Sequence, residues 1–437
     1  MSNKFGNLEI WKFESMFLSI NQIKNIQRKT LFIVCIFFLI IISSCVNTGK
    51  ISHQNISFIY KNNYPDSHEF CVFHDTDSTS AVFINYKNHN PGFLDKNDSA
   101  AYLLTYKLYQ SFGSNVVLDS SSISFPFYEI KNTQNGVELK FDVKTKFSEK
   151  YLLEINFADT LNKTAFRDFV SINKRNKFNR QNFLMINKAG EKLYKNNLTP
   201  DEKFRLKYNN SITGKITVNF YQRKFPIAVP PFILDKTINF EYFPDSIFYV
   251  EINNGETELL NLKKFGFYHF SIDSSNRDGF SIFRFYNGFP LIKNASQMIA
   301  PLKYITDKKE FKELNENSKY KSTVEDFWID VAGSSERAKV LIKKYYQRIQ
   351  DANRLFSSYH EGWKTDRGLV HIIFGYPNIV YKEENIETWI YGEANNSSSV
   401  VFDFIKVDNP FTDNDFRLIK SPSYKTRWYF AVEAWRR

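Results

Sequence analysis

Val137-Glu138-Leu139-Lys140-Phe141-Asp142-Val143 alternates apolar and polar side chains without a break. A half-buried antiparallel strand requires that period of two, because successive side chains leave opposite faces. Gln134-Asn135-Gly136, just before it, is turn chemistry and points to a hairpin. Residues 80–86 and 151–157 are further short apolar runs bounded by turn residues. Strands at this spacing predict a β-sandwich over residues 56–160. With 44 Phe, 25 Tyr and 6 Trp against 16 Gly in 437 residues, the composition also favours pleated, half-buried surfaces. A chain 43 % hydrophobic and 24 % charged is globular, which excludes collagen-like, coiled-coil and wholly disordered classes.

A second β-rich region is predicted over residues 161–295, read as another small sandwich. Ile216-Thr217-Val218-Asn219-Phe220-Tyr221 is a strand, and Asn253-Asn254-Gly255 marks a hairpin tip. Residues 265–272 and 279–286 read as a last strand pair. Residues 163–236 hold 16 Lys or Arg and 5 Asp or Glu, a net charge of +11. Such a basic face suits an anionic lipid, a glycan phosphate or an acidic partner, or is simply a solvated surface.

The N-terminus sets the compartment. Lys24, Arg28 and Lys29 precede an apolar run over residues 31–42, followed by Ser43, Ser44 and Cys45. A basic stretch, about a dozen apolar residues and small residues before a cut form signal-peptide logic. The run is short for a spanning helix, which needs about 20 residues. Ile42-Ser43-Ser44-Cys45 resembles a bacterial lipobox. That resemblance implies removal of residues 1–44, with Cys45 as the lipid-carrying first residue; a leader starting at Met16 rather than Met1 would be of more usual length. Cys71 is then the one thiol left free in the mature chain, so no internal disulfide forms. Residues 45–55 read as a tether. Without an acidic residue after Cys45, the expected place is the outer membrane, facing the periplasm.

The C-terminal third changes character. Residues 306–319 are charged and helical in pattern, and Thr323 is read as the cap of a following helix. Ser334 or Ser335 caps a longer one, with Glu336 in its first turn. Leu341, Tyr345, Ile349, Ala352 and Phe356 form its apolar stripe; Lys343, Lys344, Gln347, Asp351 and Arg354 fall off it. Then comes Glu361-Gly362-Trp363-Lys364-Thr365-Asp366-Arg367-Gly368. Gly362 suits a turn, Trp363 a buried body with one N–H, and Thr365 and Asp366 local backbone bonds. Arg367 offers a fork for Asp366, Glu361 or a partner carboxylate. The string reads first as a structural corner and second as a binding site. Val370-His371-Ile372-Ile373-Phe374 is β-branched and aromatic and is read as a buried strand.

Gly362, Trp363, Thr365 and Asp366, with Gly375, Pro377, Trp389 and Tyr391 downstream, resemble the GWxTD domain over residues 300–437. The resemblance implies a lipoprotein of the kind found in Bacteroidetes and relatives, with β-rich segments before the domain. It implies no catalytic residue. The predicted architecture is therefore mainly β with an α+β C-terminal domain.

No reaction is legible. The seven His form no HExxH, and neither a GxSxG elbow nor a phosphate-binding glycine loop occurs. His74-Asp75-Thr76-Asp77 has metal-ligand atoms but sits where a turn belongs. His360 and Asp366 flank the signature and could form an acid–base pair. No cofactor, metal or nucleic acid is assigned, and the oligomeric state is open. The expectation is a non-enzymatic envelope lipoprotein that binds other proteins, in outer-membrane assembly or secretion. The alternatives are an enzyme on envelope polymers, or a binder of anionic lipid or glycan through the basic region.

Overall fold

The period-two segments become strands in the computed structural model, which describes residues 49–61, 68–87, 100–126, 130–134, 136–160, 162–235 and 240–437. The leader, Cys45 and the first tether residues lie outside the described residues, as do His89 and Asn135 of the turn. Among the described residues no helix is long and apolar enough to cross a membrane.

Eight strands open the fold: β1 (His68–Phe73), β2 (Thr79–Tyr86), β3 (Ala100–Tyr109), β4 (Asp119–Pro126), β5 (Lys131–Thr133), β6 (Gly136–Lys144), β7 (Lys150–Asp159) and β8 (Thr164–Asn173). They form two antiparallel sheets, ordered β1-β2-β6-β5 and β4-β3-β7-β8. Ile84, Leu139 and Phe141 from one meet Leu104, Leu153 and Ile155 from the other in a shared core. This is a sandwich. Its last strand is β8, paired with β7 along its length, so it runs to Asn173 rather than ending near residue 160.

The middle strands are β9 (Phe183–Asn187), β10 (Phe204–Tyr208), β11 (Gly214–Tyr221), β12 (Ser246–Asn253), β13 (Glu256–Thr257), β14 (Gly266–Ser271) and β15 (Phe280–Arg284). They make one sheet, ordered β15-β14-β11-β12-β13-β10-β9. Asn254 and Gly255 form the tip between β12 and β13. Residues 191–198 bridge its edges: Leu193 N–H donates to Met185 O on β9, and Leu198 N–H donates to Phe283 O on β15. The region is therefore one sheet curled around its own core, not a second pair of sheets. Its β9 also covers the outer face of the first sandwich, where Leu184 packs on Phe73, Ala81 and Phe83. That contact buries Glu138, an outward position by alternation, against Lys192 and Tyr194, both 2.8 Å away.

The C-terminal part is α+β. Helices α1 (Lys308–Glu316), α2 (Tyr320–Ala332), α3 (Ser335–Phe356) and α4 (Asp366–Phe374) precede β16 (Ile379–Lys382), β17 (Ile386–Tyr391), β18 (Val400–Lys406) and β19 (Phe416–Leu418), and α5 (Lys425–Glu433) follows. Ser334 Oγ accepts from Arg337 N–H and caps α3, with Glu336 in the first turn. Thr323 is not a cap: it lies inside α2, its hydroxyl bonded back to Lys319 O. Off-stripe Asp351 is buried, held by Gln347 and Arg354.

The largest departure concerns residues 51–60. They are no tether. Ile51, Ile56 and Tyr60 are buried, and Ile56 and Tyr60 belong to the C-terminal core. Ile56 N–H donates to Val380 O on β16, and Asn55 bonds both Asn378 and Val380. The strap thus joins the start of the body to its last domain. Ile56→Ala is expected to cost about 2–5 kcal/mol, read by urea unfolding through the tryptophan emission of the C-terminal core.

Candidate functional site

Signature residues begin where the chain leaves α3. A Cβ on Gly362 would lie 1.9 Å from Ala352 O, and one on Gly368 would lie 1.9 Å from Gly362 O. Two glycines therefore let three backbone segments touch: α3, the corner and α4. Trp363 is buried, its backbone N–H donating to Asn353 Oδ1 at 3.2 Å and its backbone carbonyl accepting from the Tyr304 hydroxyl at 2.8 Å. Thr365 Oγ1 accepts from Gly368 N–H at 3.0 Å and donates to Gly362 O at 2.8 Å. It is the N-cap of α4.

Residues 370–374, read as a strand, are thus helical. The Thr365 cap, the Gly368 approach and total burial of Leu369, Val370 and Ile372 outweigh the β-branched preference. Arg348 closes the helix, donating to Ile372 O and Ile373 O at 2.8 and 2.9 Å. Gly375 ends it at φ 86°, and its carbonyl accepts from Tyr391 at 2.8 Å. Pro377 is buried just beyond.

Arg367 takes neither Asp366 nor Glu361. It is buried, stacked 4.0 Å from the Phe416 ring centroid, and donates to Asn414 O at 2.9 Å and to Asn414 Oδ1. Its charge faces Glu387 at 3.5 Å. Glu387 is fully buried on β17. Its Oε1 accepts from Tyr60 at 2.6 Å and from Trp389 Nε1 at 2.7 Å, and Lys382 lies 3.2 Å from Oε2. Burial opposes its ionisation, but Lys382, Arg367 and these bonds outweigh it and hold the carboxyl at about 2. Tyr60, Lys382 and Glu387 were not singled out from sequence. The available signal was that Glu387 and Trp389, two apart on a strand, share one face.

Asp366 and Thr365 reach a cleft. It is a cavity of about 910 Å³ between residues 223–229, 234–235 and 240–241 and the signature corner. Phe225, Phe240, Tyr359 and Phe416 are among its apolar walls, with His360, Asp415, Arg417 and Lys420 among its polar groups. Asp366 Oδ2 accepts from Leu418 N–H at 2.9 Å, and Lys420 is 3.9 Å from Oδ1. Burial raises its pKa despite both, and raises that of Asp415 to about 6. His360 stacks on Phe225, and burial pushes its pKa down to about 3. His360 and Asp366 therefore share the cleft; Arg367 lies behind its wall.

The other candidates are structural. The His74 ring bonds Ser80 at 2.9 Å and Asn173 O at 2.8 Å in the turn after β1. Among the described residues no group of three His, Cys, Asp or Glu is placed to hold a metal. Burial pushes the Cys71 thiol to about 12.

Residues 266–437 match the family model of the GWxTD domain, so the chain carries a GWxTD domain. The match starts at β14, inside the middle sheet, and leaves out the strap that completes the domain's core. No curated protein matches the chain.

Glu387→Gln leaves Arg367 and Lys382 without their buried carboxylate and is expected to cost about 3–5 kcal/mol in urea unfolding. Acid should weaken the fold in two stages. Burial lowers the His371 pKa to about 3 from an ordinary 6.5, so its share is complete above pH 6.5 and is lost as pH falls. Glu387, lowered from 4.5 to about 2, carries a share complete above pH 4.5 and lost toward 2. Asp415, raised to about 6, acts in the opposite sense. His360, lowered to about 3, and His74 and His269, lowered to about 4, share the upper stage, so in thermal midpoints against pH His371→Phe is expected to reduce that stage in part and Glu387→Gln to reduce the lower.

Proposed function

We propose that the protein is a non-enzymatic lipoprotein, anchored through Cys45 to the periplasmic face of the outer membrane, whose body docks other envelope proteins. The observation that supports this most is the direction of the signature's polar groups. Thr365 bonds the start of α4, Asp366 bonds β19 and Arg367 bonds Asn414 and faces Glu387. They hold a rigid wall beside an aromatic-lined cleft, and an extended segment of a partner is the occupant such walls suit. Work in outer-membrane assembly or secretion follows from the compartment.

One observation favours a second reading, an enzyme on envelope polymers: His360, Asp366 and Asp415 share the cleft. The two readings separate experimentally. A photo-crosslinker at Leu234, 68 % exposed at the cleft rim, is expected to trap an outer-membrane protein in cells. The trap should survive His360→Gln and weaken about tenfold with Ile227→Asp. A protein that fractionates without any cleft-dependent partner would sink the docking reading. Loss of a polymer-cleaving activity in His360→Gln would establish the second.

A further inference from the structure

Val116, Val117 and Leu118 are consecutive and exposed by 61, 37 and 48 %. Isolated surface apolar residues are ordinary; three in a row, on the arm that returns from the turn at residues 111–114 into β4, are not. The loop between β3 and β4 is held by its own hydrogen bonds. Ser114 N–H donates to Ser111 O, Val116 N–H to Ser114 Oγ at 3.2 Å, and Leu118 N–H to Leu108 O at 2.7 Å. Such bonding fixes the arm against the end of β3 while its three apolar side chains stay exposed.

Its location gives the triplet meaning. Ser52 N–H donates to Phe112 O at 2.9 Å, in the turn of this loop. Ile51 packs on Tyr109 and Leu152 at the same end of the sandwich. The body therefore begins beside the loop. Cys45 lies five residues before Lys50, and five extended residues reach at most about 18 Å.

We propose that Val116, Val117 and Leu118 insert into the phospholipid surface next to the anchored N-terminus, as a second membrane contact that fixes the orientation of the body. The occupant is the bilayer interface, because a lipidated Cys45 cannot place it farther away than this tether allows. Burying the apolar arm adds to the anchor and limits swivelling about a single attachment point. This inference rests on the lipid-anchor reading above.

The tryptophans provide the test. Trp11 lies in the leader, and Trp328, Trp363, Trp389, Trp428 and Trp435 are all buried in the C-terminal core. A Val117→Trp variant adds one exposed indole to a shielded background. The anchored protein, isolated from membranes, is placed in vesicles of phosphatidylethanolamine and phosphatidylglycerol whose acyl chains carry bromine. The expected result is a blue-shifted added emission, quenched at least about twofold relative to unbrominated vesicles. Asn132→Trp is the reference, since Asn132 is exposed on the β5–β6 hairpin at the opposite end of the sandwich, beyond the Tyr86–Tyr102 ring contact. Its emission should stay unquenched. Equal quenching at both positions, or none at Val117→Trp while the protein still floats with the vesicles, overturns the loop contact alone. An unmodified Cys45 by mass spectrometry, with no flotation, overturns the anchor reading and the loop contact together.

Discussion

Glu387 is the charge around which the C-terminal domain is assembled. A lone buried carboxylate is strongly unfavourable, and this one stays ionised because four groups converge on it. They arrive from four places: Tyr60 from the strap, Arg367 from the first turn of α4, Lys382 from β16 and Trp389 from β17 itself. If one element shifts, the remaining charges face one another without compensation. The polar cluster therefore fixes positions that the surrounding aromatic core would leave less defined.

The signature string follows from that demand. Arg367 reaches Glu387 only if α4 starts close against the corner, and α4 starts there only because Gly362 and Gly368 carry no side chain. Thr365 then satisfies the first free N–H of the helix, and Asp366 sits where the helix dipole favours a negative charge. Glycines, cap and arginine form one mechanical chain. The cleft arises on its outer side, where residues 223–229, 234–235 and 240–241 of the middle region approach the corner.

Much of the strand content was legible because one-sided burial writes itself as alternation, as in residues 137–143. Alternation failed where a second layer covered the outer face. Glu138 reads as solvated yet is buried under Lys192 and Tyr194. Helix α4 was misread because the strand preference of Val370, Ile372 and Ile373 was given more weight than the cap at Thr365, and because the close approach of Gly368 to Gly362 shows only once the corner is folded. Asp351 lies off the apolar stripe of α3 yet is buried by neighbours on its own helix. The strap was invisible because residues 51–60 are few, with Ser, His, Gln and Asn filling the space between Ile51 and Ile56, and its partners lie more than 300 positions away. At the site, the signature positions were readable; the charge they serve was not.

That separation has a consequence for how the molecule is made. Tyr60 and Glu387 are 327 positions apart. A chain delivered N-terminus first presents the strap early and its binding groove nearly last. Until the final hundred residues arrive, Ile56 and Tyr60 have no pocket, and the loop-closure entropy of the whole body opposes their capture. The C-terminal domain therefore cannot reach its native state from its own residues: it must recruit a segment made more than 300 positions earlier, so the fold closes only once both have been delivered.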